Sequence, residues 1–166
     1  MKKTRTPDAI EREKRLDEAI AQSADGLFEL LLESISDVDS EVRETAAYGL
    51  GELADARGIP LLIELVERDV DEKVVLHALV SMESFRDSRI HQCLLREAVR
   101  IRATRSPRQH VARQLRWYDS QESVDALRAL LTQDDALVSQ LAEESLIVLR
   151  PAERELWERI VAGGKS

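Results

Sequence analysis

Apolar residues return along this chain first with the spacing of an α-helix and then, at longer range, with the spacing of a repeat. Val42, Ala46, Leu50 and Leu53 fall at i, i+4, i+8 and i+11, one stripe of a helix. The stripe recurs as Val74, Ala78, Met82 and Phe85, then as Pro107, Val111, Leu115 and Tyr118, and again as Val138, Ala142, Leu146 and Leu149. Copies starting at 42, 74, 107 and 138 are separated by 32, 33 and 31 residues. Self-similarity at such a period marks stacked supersecondary units, each too small to bury its apolar face alone.

A second pattern precedes each of these. Leu27, Leu30 and Leu31 repeat as Ile59, Leu62 and Ile63, as Ile90, Cys93 and Leu94, and as Val124, Leu127 and Arg128, where the last apolar slot is lost. Each unit is therefore a helical hairpin. Asp37-Val38-Asp39-Ser40, Asp69-Val70-Asp71 and Asp134-Asp135 sit between the two helices, with Asp or Ser placed to cap the next helix by accepting its free N–H groups. Asp55, Asp87 and Asp119 mark the joints between hairpins. The third turn differs: in Ala103-Thr104-Arg105-Ser106-Pro107 the start signal is Ser106 followed by Pro107. Residues 7–22, with Ile10, Leu16, Ala19 and Ile20, and residues 151–162, with Leu156, Trp157 and Ile160, read as terminal capping helices.

Residues 37–53, Asp-Val-Asp-Ser-Glu-Val-Arg-Glu-Thr-Ala-Ala-Tyr-Gly-Leu-Gly-Glu-Leu, resemble the short HEAT-like repeats named after phycobilisome lyases. The resemblance extends over 25–150, strongest in the first copy and degenerate in the third. The tetratricopeptide order Trp…Leu-Gly…Tyr and the ankyrin Thr-Pro-Leu-His are absent. What the resemblance implies is a single all-α domain over 1–166: a right-handed α-solenoid of about four HEAT-like hairpins with N- and C-terminal capping helices. It also implies that the second helix of each hairpin lines the inner, partner-facing surface.

With Val42, Ala46, Gly49, Leu50 and Leu53 inward, the opposite flank of that helix holds Glu44, Tyr48 and Glu52. The equivalent positions are Leu76, Val80 and Ser84, then Gln109, Arg113 and Trp117, then Gln140, Glu144 and Val148. Tyr48, Leu76, Val80, Arg113, Trp117 and Val148 are the candidate partner-binding residues, with Arg113 and Trp117 as central anchors, because Tyr, Trp and Arg dominate protein interfaces.

Composition narrows the alternatives. Hydrophobic residues make up 43 %, charged residues 34 % and aromatics only 4 %, with six Gly and four Pro, which suits aliphatic helix packing and not a turn-rich β fold. No apolar run approaches the roughly 18 residues a bilayer span needs. The basic start, Met1 to Pro7, leads into Asp8 and Glu11 and is not read as a secretory signal. Cys93 is alone, on an apolar slot, so a buried structural thiol and a cytoplasmic location are expected.

Net charge is −8, yet residues 86–116 carry nine Arg against Asp87 and Glu97, a local excess of seven positive charges. Arg96, Arg100, Arg102, Arg105 and Arg108 are the candidate anion-binding patch. Arg43 and Arg108, each beside a turn, are candidate turn clamps. His77 and His110 occupy equivalent positions, but no Cys or carboxylate completes a metal set, and no His-Glu pair of the HEAT-like di-iron type occurs; no metal and no cofactor are expected. No Gly-rich phosphate loop follows a strand; Gly49 and Gly51 belong to a helix and admit close packing.

The expectation is a non-enzymatic scaffold or adaptor that takes a protein partner on its inner helices, one form of which is an inhibitor of the antitoxin type. The alternative is nucleic-acid or phosphate binding through the Arg-rich segment. Lyase activity would rest on the family resemblance alone. Partner identity and oligomeric state are not written in the repeat.

Overall fold

Helix boundaries in the computed structural model follow the caps that the sequence supplies; it describes residues 5–100, 106–132 and 134–163. Among these, all regular secondary structure is helical. The chain divides into two units, Met1–Phe85 and Arg86–Ser166, and each is a stack of helical hairpins of solenoid type with its own core.

The first unit holds α1 (Pro7–Ala21), α2 (Leu27–Ser34), α3 (Ser40–Leu53), α4 (Ile59–Arg68) and α5 (Glu72–Ser81). Thr6 caps α1 by accepting from the Ala9 N–H, with Pro7 in its first turn. Asp39 caps α3 by accepting from Glu41 and Val42, and Asp71 caps α5 by accepting from Lys73. Asp55 caps the short 3-10 turn that leads into α4. Consecutive second helices stack: α3 packs against α5 and against α1, while α2 covers α3 and α4 covers α5. The α3–α5 approach depends on Gly51, where a Cβ would lie 2.7 Å from Ser81 Cβ. A Cβ on Gly49 would meet Leu31 at 2.6 Å. At Gly51, where the backbone Cα of Ser81 would also lie 3.0 Å away, the small residue is a packing requirement.

Helix α1 stands against α3 as α3 stands against α5, in the place of a second helix. Its buried residues are Ala9 and Leu16, seven apart on one face, whereas Ile10 is exposed and does not join the apolar stripe expected for it. A step of one residue turns the side chain about 100° around the axis, which carries Ile10 off that face.

The second unit holds α6 (Ser88–Val99), α7 (Ser106–Leu115), α8 (Gln121–Leu131), α9 (Ala136–Leu149) and α10 (Arg154–Gly163). Asp87, Ser120 and Asp135 cap α6, α8 and α9. Here α7 stacks on α9 and α6 on α8, with α6 packed on α7, α8 on α9, and α10 on α9. Among the α10 residues whose burial is described, Trp157 alone is deeply buried; Leu156 and Ile160, expected beside it on the apolar stripe, are exposed, because α10 has α9 as its main neighbour. No helix among the described residues is long and apolar enough to cross a membrane. Cys93, the single cysteine of the sequence, is buried on α6.

Candidate functional site

In the first unit the outward flank of the second helices carries Tyr48 on α3, 48 % exposed, and Val80 on α5, 41 % exposed. Leu76, one turn before Val80, is half-buried. Glu44, in the slot equivalent to Leu76, pairs with His77: the imidazole Nδ1 lies 3.3 Å from the Glu44 carboxylate and 3.0 Å from the Lys73 carbonyl oxygen. Among the described residues, no three His, Cys, Asp or Glu side chains are grouped to hold a metal ion.

In the second unit the same flank carries Arg113, Trp117 and Val148. Trp117 was expected on the helix itself, but α7 ends at Leu115 and Trp117 lies in the following turn, where its N–H donates to the Gln114 carbonyl. The turn leaves the indole 49 % exposed and brings two cations to it: the Cζ of Arg86 lies 4.5 Å from the ring centroid and that of Arg116 5.0 Å. Arg113 is half-buried, with one terminal nitrogen 3.2 Å from His110 Nδ1. Val148 is exposed on α9, in the slot equivalent to Trp117.

The Arg patch divides differently. Arg102 and Arg105 lie outside the described residues. Arg100 closes α6 by pairing at 3.0 Å with Glu97, whose side chain is buried, and Arg108 donates to the Arg100 carbonyl at 3.1 Å. These two contacts are local and structural. Arg96 is exposed on the last turn of α6.

The turn clamp that sequence suggested at Arg43 is larger than a single residue. Arg43 forks onto Asp69 at 2.7 and 2.9 Å and also donates to the Asp37 carbonyl at 2.8 Å, so one side chain ties two successive turns. Arg12 holds Asp37, and Arg5 reaches Asp39, Glu13 and Glu41. Arg12 keeps the Asp37 carboxyl below the ordinary carboxylate range, and Arg5 does the same for Asp39. At Asp69 burial pushes upward, but the Arg43 fork and a backbone N–H from Asp71 outweigh it and the net shift is downward. A cleft of about 740 Å³ opens between these turns and the start of α1, with Val38 and Val70 on its rim, both almost fully exposed. Sequence reasoning missed Arg5 and Arg12, whose partners lie 34 and 25 residues away.

A Ser–His approach also escaped it. His91 Nε2 lies 2.8 Å from Ser123 Oγ, and the imidazole stacks on Tyr118 at 4.7 Å. Ser123 is buried at the start of α8, beside the cap Ser120, which leaves its hydroxyl without access to a substrate. Burial lowers the pKa of His91 from its ordinary value, with Glu122 opposing.

A profile of HEAT repeats matches residues 6–83 and again 25–105, which together take in more than half of the chain. The chain belongs to the HEAT-repeat family. No curated protein matches it as a relative. The matched span contains α1 to α6, so the HEAT assignment and the stacking of α1 on α3 describe the same helices. The second unit continues the period beyond residue 105, with Ser145 Oγ donating to the carbonyl of Ala112, 33 residues earlier.

Proposed function

We propose that this HEAT-repeat chain is a non-enzymatic protein-interaction module that holds a partner on the outward flank of its second helices. The observation that carries this reading is where exposed apolar side chains fall. Tyr48 and Val80 are repeat-equivalent, as are Trp117 and Val148, and all four are open to solvent; among the first helices α4 and α8 expose no large apolar side chain, whereas α2 exposes Leu32 and α6 exposes Val99 at its end. Scattered exposed apolar residues are ordinary on any surface. Here they keep register from one copy to the next, and Tyr48 and Trp117 are of the types that anchor interfaces. Arg100 and Arg108 serve helix ends, which favours this reading over an anion patch made of the same residues. The first unit carries a net charge of −10, which suits an inhibitor of the antitoxin type that covers a basic protein. A cytoplasmic setting fits a single cysteine, Cys93.

The test is capture by the tagged full chain from source-cell lysate, with and without nuclease. Wild type is compared with Trp117→Ala and with the double change Tyr48→Ala, Val80→Ser. A discrete protein that survives nuclease and is lost with either variant is the expected result. Recovery of nucleic acid alone, indifferent to both variants, would overturn the proposal and move binding to the Arg-rich segment.

A further inference from the structure

In the first unit two valines stand at the tips of successive turns within hairpins, Val38 94 % and Val70 93 % exposed. Both turns are built the same way. Asp37 Oδ1 accepts the N–H of Asp39 at 2.8 Å and Asp69 Oδ1 that of Asp71 at 2.9 Å, which closes the chain around the residue between. Neither valine serves the helix that follows. An apolar residue just before a helix cap ordinarily packs back on the fourth helical residue. That residue is Arg43 after Val38, and Val70 is too exposed to cover Val75. Nor does the turn ask for an apolar side chain, since Asp134 holds the same place before Asp135, the cap of α9.

Both valines line the cleft of about 740 Å³ between these turns and the start of α1, together with the cations Arg5, Arg12, Arg43 and Lys73. The three Arg are paired with five carboxylates, three of them on Arg5 alone, and Asp71 in the lining makes a sixth. Negative charge is therefore in excess at the cleft, within a unit whose net charge is −10. Two of these carboxylates keep capacity. The exposed Glu41 gives Oε2 to Arg5, and Asp71 gives Oδ1 to the Lys73 N–H; among the described residues no hydrogen bond uses the other oxygen of either.

We propose that this cleft seats a basic, aliphatic segment of a partner protein: Val38 and Val70 cover an aliphatic side chain, and an adjacent Lys or Arg meets the remaining oxygens of Glu41 and Asp71. Charge selects this occupant. An acidic segment or a nucleic-acid strand would be repelled by the excess of carboxylates, and a neutral aliphatic one would leave that excess unanswered. The turns that present the valines are fixed by Asp37 and Asp69, which Arg12 and Arg43 hold in turn, so little ordering is left for binding to impose. This surface lies at the N-terminal ends of α1, α3 and α5, and neither Tyr48 nor Val80 lines it. The inference thus goes beyond the flank proposed above and does not depend on it.

The experiment uses the full chain and a short fluorescein-labelled peptide of Lys and Leu, read by anisotropy. Peptides of equal length made of Lys and Ser, of Ser and Leu, and of Glu and Leu serve as comparison probes. The Lys–Leu peptide is expected to bind saturably and more tightly than the other three. Val38→Ser and Val70→Ser are each expected to weaken it by about fivefold, and both variants keep the fold because neither side chain is packed. Glu41→Gln combined with Asp71→Asn is expected to weaken it as much and to flatten its dependence on salt, with Asn still able to cap α5. Val80→Ser, on the flank and outside the cleft, should leave binding unchanged.

No saturable binding of the Lys–Leu peptide would overturn the proposal, as would binding that the Val38 and Val70 variants or the Glu41 and Asp71 variant leave unchanged. So would equal binding of any comparison peptide. The two proposals fail separately. A protein captured through Trp117, or through Tyr48 and Val80, with no Lys–Leu peptide bound would sink this inference and leave the flank standing. Peptide binding that is lost with Val38→Ser, with no protein captured through either flank, would do the reverse.

Discussion

The two units repeat one hairpin design yet close it with different chemistry. The first, Met1–Phe85, has a net charge of −10 and secures its turns with Arg–Asp forks: Arg5 on Asp39, Arg12 on Asp37, Arg43 on Asp69. The second, Arg86–Ser166, has a net charge of +2 and adds neutral hydrogen bonds beneath its surface to Arg–acid pairs such as Arg100–Glu97 and Arg150–Asp119. Ser139 donates to the Leu131 carbonyl, Ser145 to that of Ala112, and His91 meets Ser123. The position after the first apolar residue of each second helix shows the exchange: Arg43, Val75, Arg108, Ser139. Arg108 and Ser139 each donate to a carbonyl eight residues earlier, Arg100 and Leu131. What the repeat requires there is a donor for the end of the preceding helix or an apolar filler, and charge is optional.

The comparison breaks first at Arg43. Its Asp69 partner has a side chain only 5 % exposed, so Arg43→Ala strands a buried carboxylate between two turns. The expected loss is about 3 kcal/mol in urea denaturation, with hydrogen-exchange protection lost in α3 and α5. A loss under about 1 kcal/mol would mean that the fork is ornamental.

Acid should separate the units next. His91 has a folded pKa below its ordinary 6.5 because of burial, with Glu122 opposing. The stability it contributes is therefore complete above pH 6.5 and is lost as pH falls from there through the folded value. Tyr118, Ser120 and Ser123 are the other polar groups around it. Asp37 and Asp39 have folded pKa values below their ordinary 3.8, so their contribution persists above 3.8 and is lost only at lower pH. Hydrogen exchange at pH 5 is expected to show weakened protection at α6 and α8 while α3 and α5 keep theirs. The opposite order would contradict the assignment.

Ser145→Ala tests the neutral closure and should cost about 1 kcal/mol, less than Arg43→Ala, because one hydrogen bond is lost without stranding a charge. The smallest effect belongs to Arg57→Gln. That residue pairs with Asp55 at an exposed 3-10 turn and lies over Phe28, and its loss should leave the midpoint of the same denaturation series unchanged.

Much of this was legible from residues alone. Asp39, Asp71 and Asp135 cap the helices at which their turns pointed, and Gly49 and Gly51 sit at close helix approaches. These are local or strictly periodic features, and a stripe with period 3.6 carries them in full. The candidate site was legible only in part. Tyr48, Val80, Trp117 and Val148 are exposed on the expected flank, but Leu76 is half-covered and Trp117 lies in a turn.

Sequence by itself determined the helical hairpins, their period, their caps and the concentration of Arg between 86 and 116, because each of these is set by neighbours within a turn or two of helix. The tertiary structure decided which side chains that pattern leaves open and which partners meet across the stack. Ile10 faces solvent while Ala9 is buried; Arg43 finds Asp69 26 residues away; Arg86 and Arg116 converge on one indole. The reason is geometric. Burial and pairing at a surface slot depend on the helix packed beside it, and that neighbour comes from another repeat, beyond the reach of any local pattern.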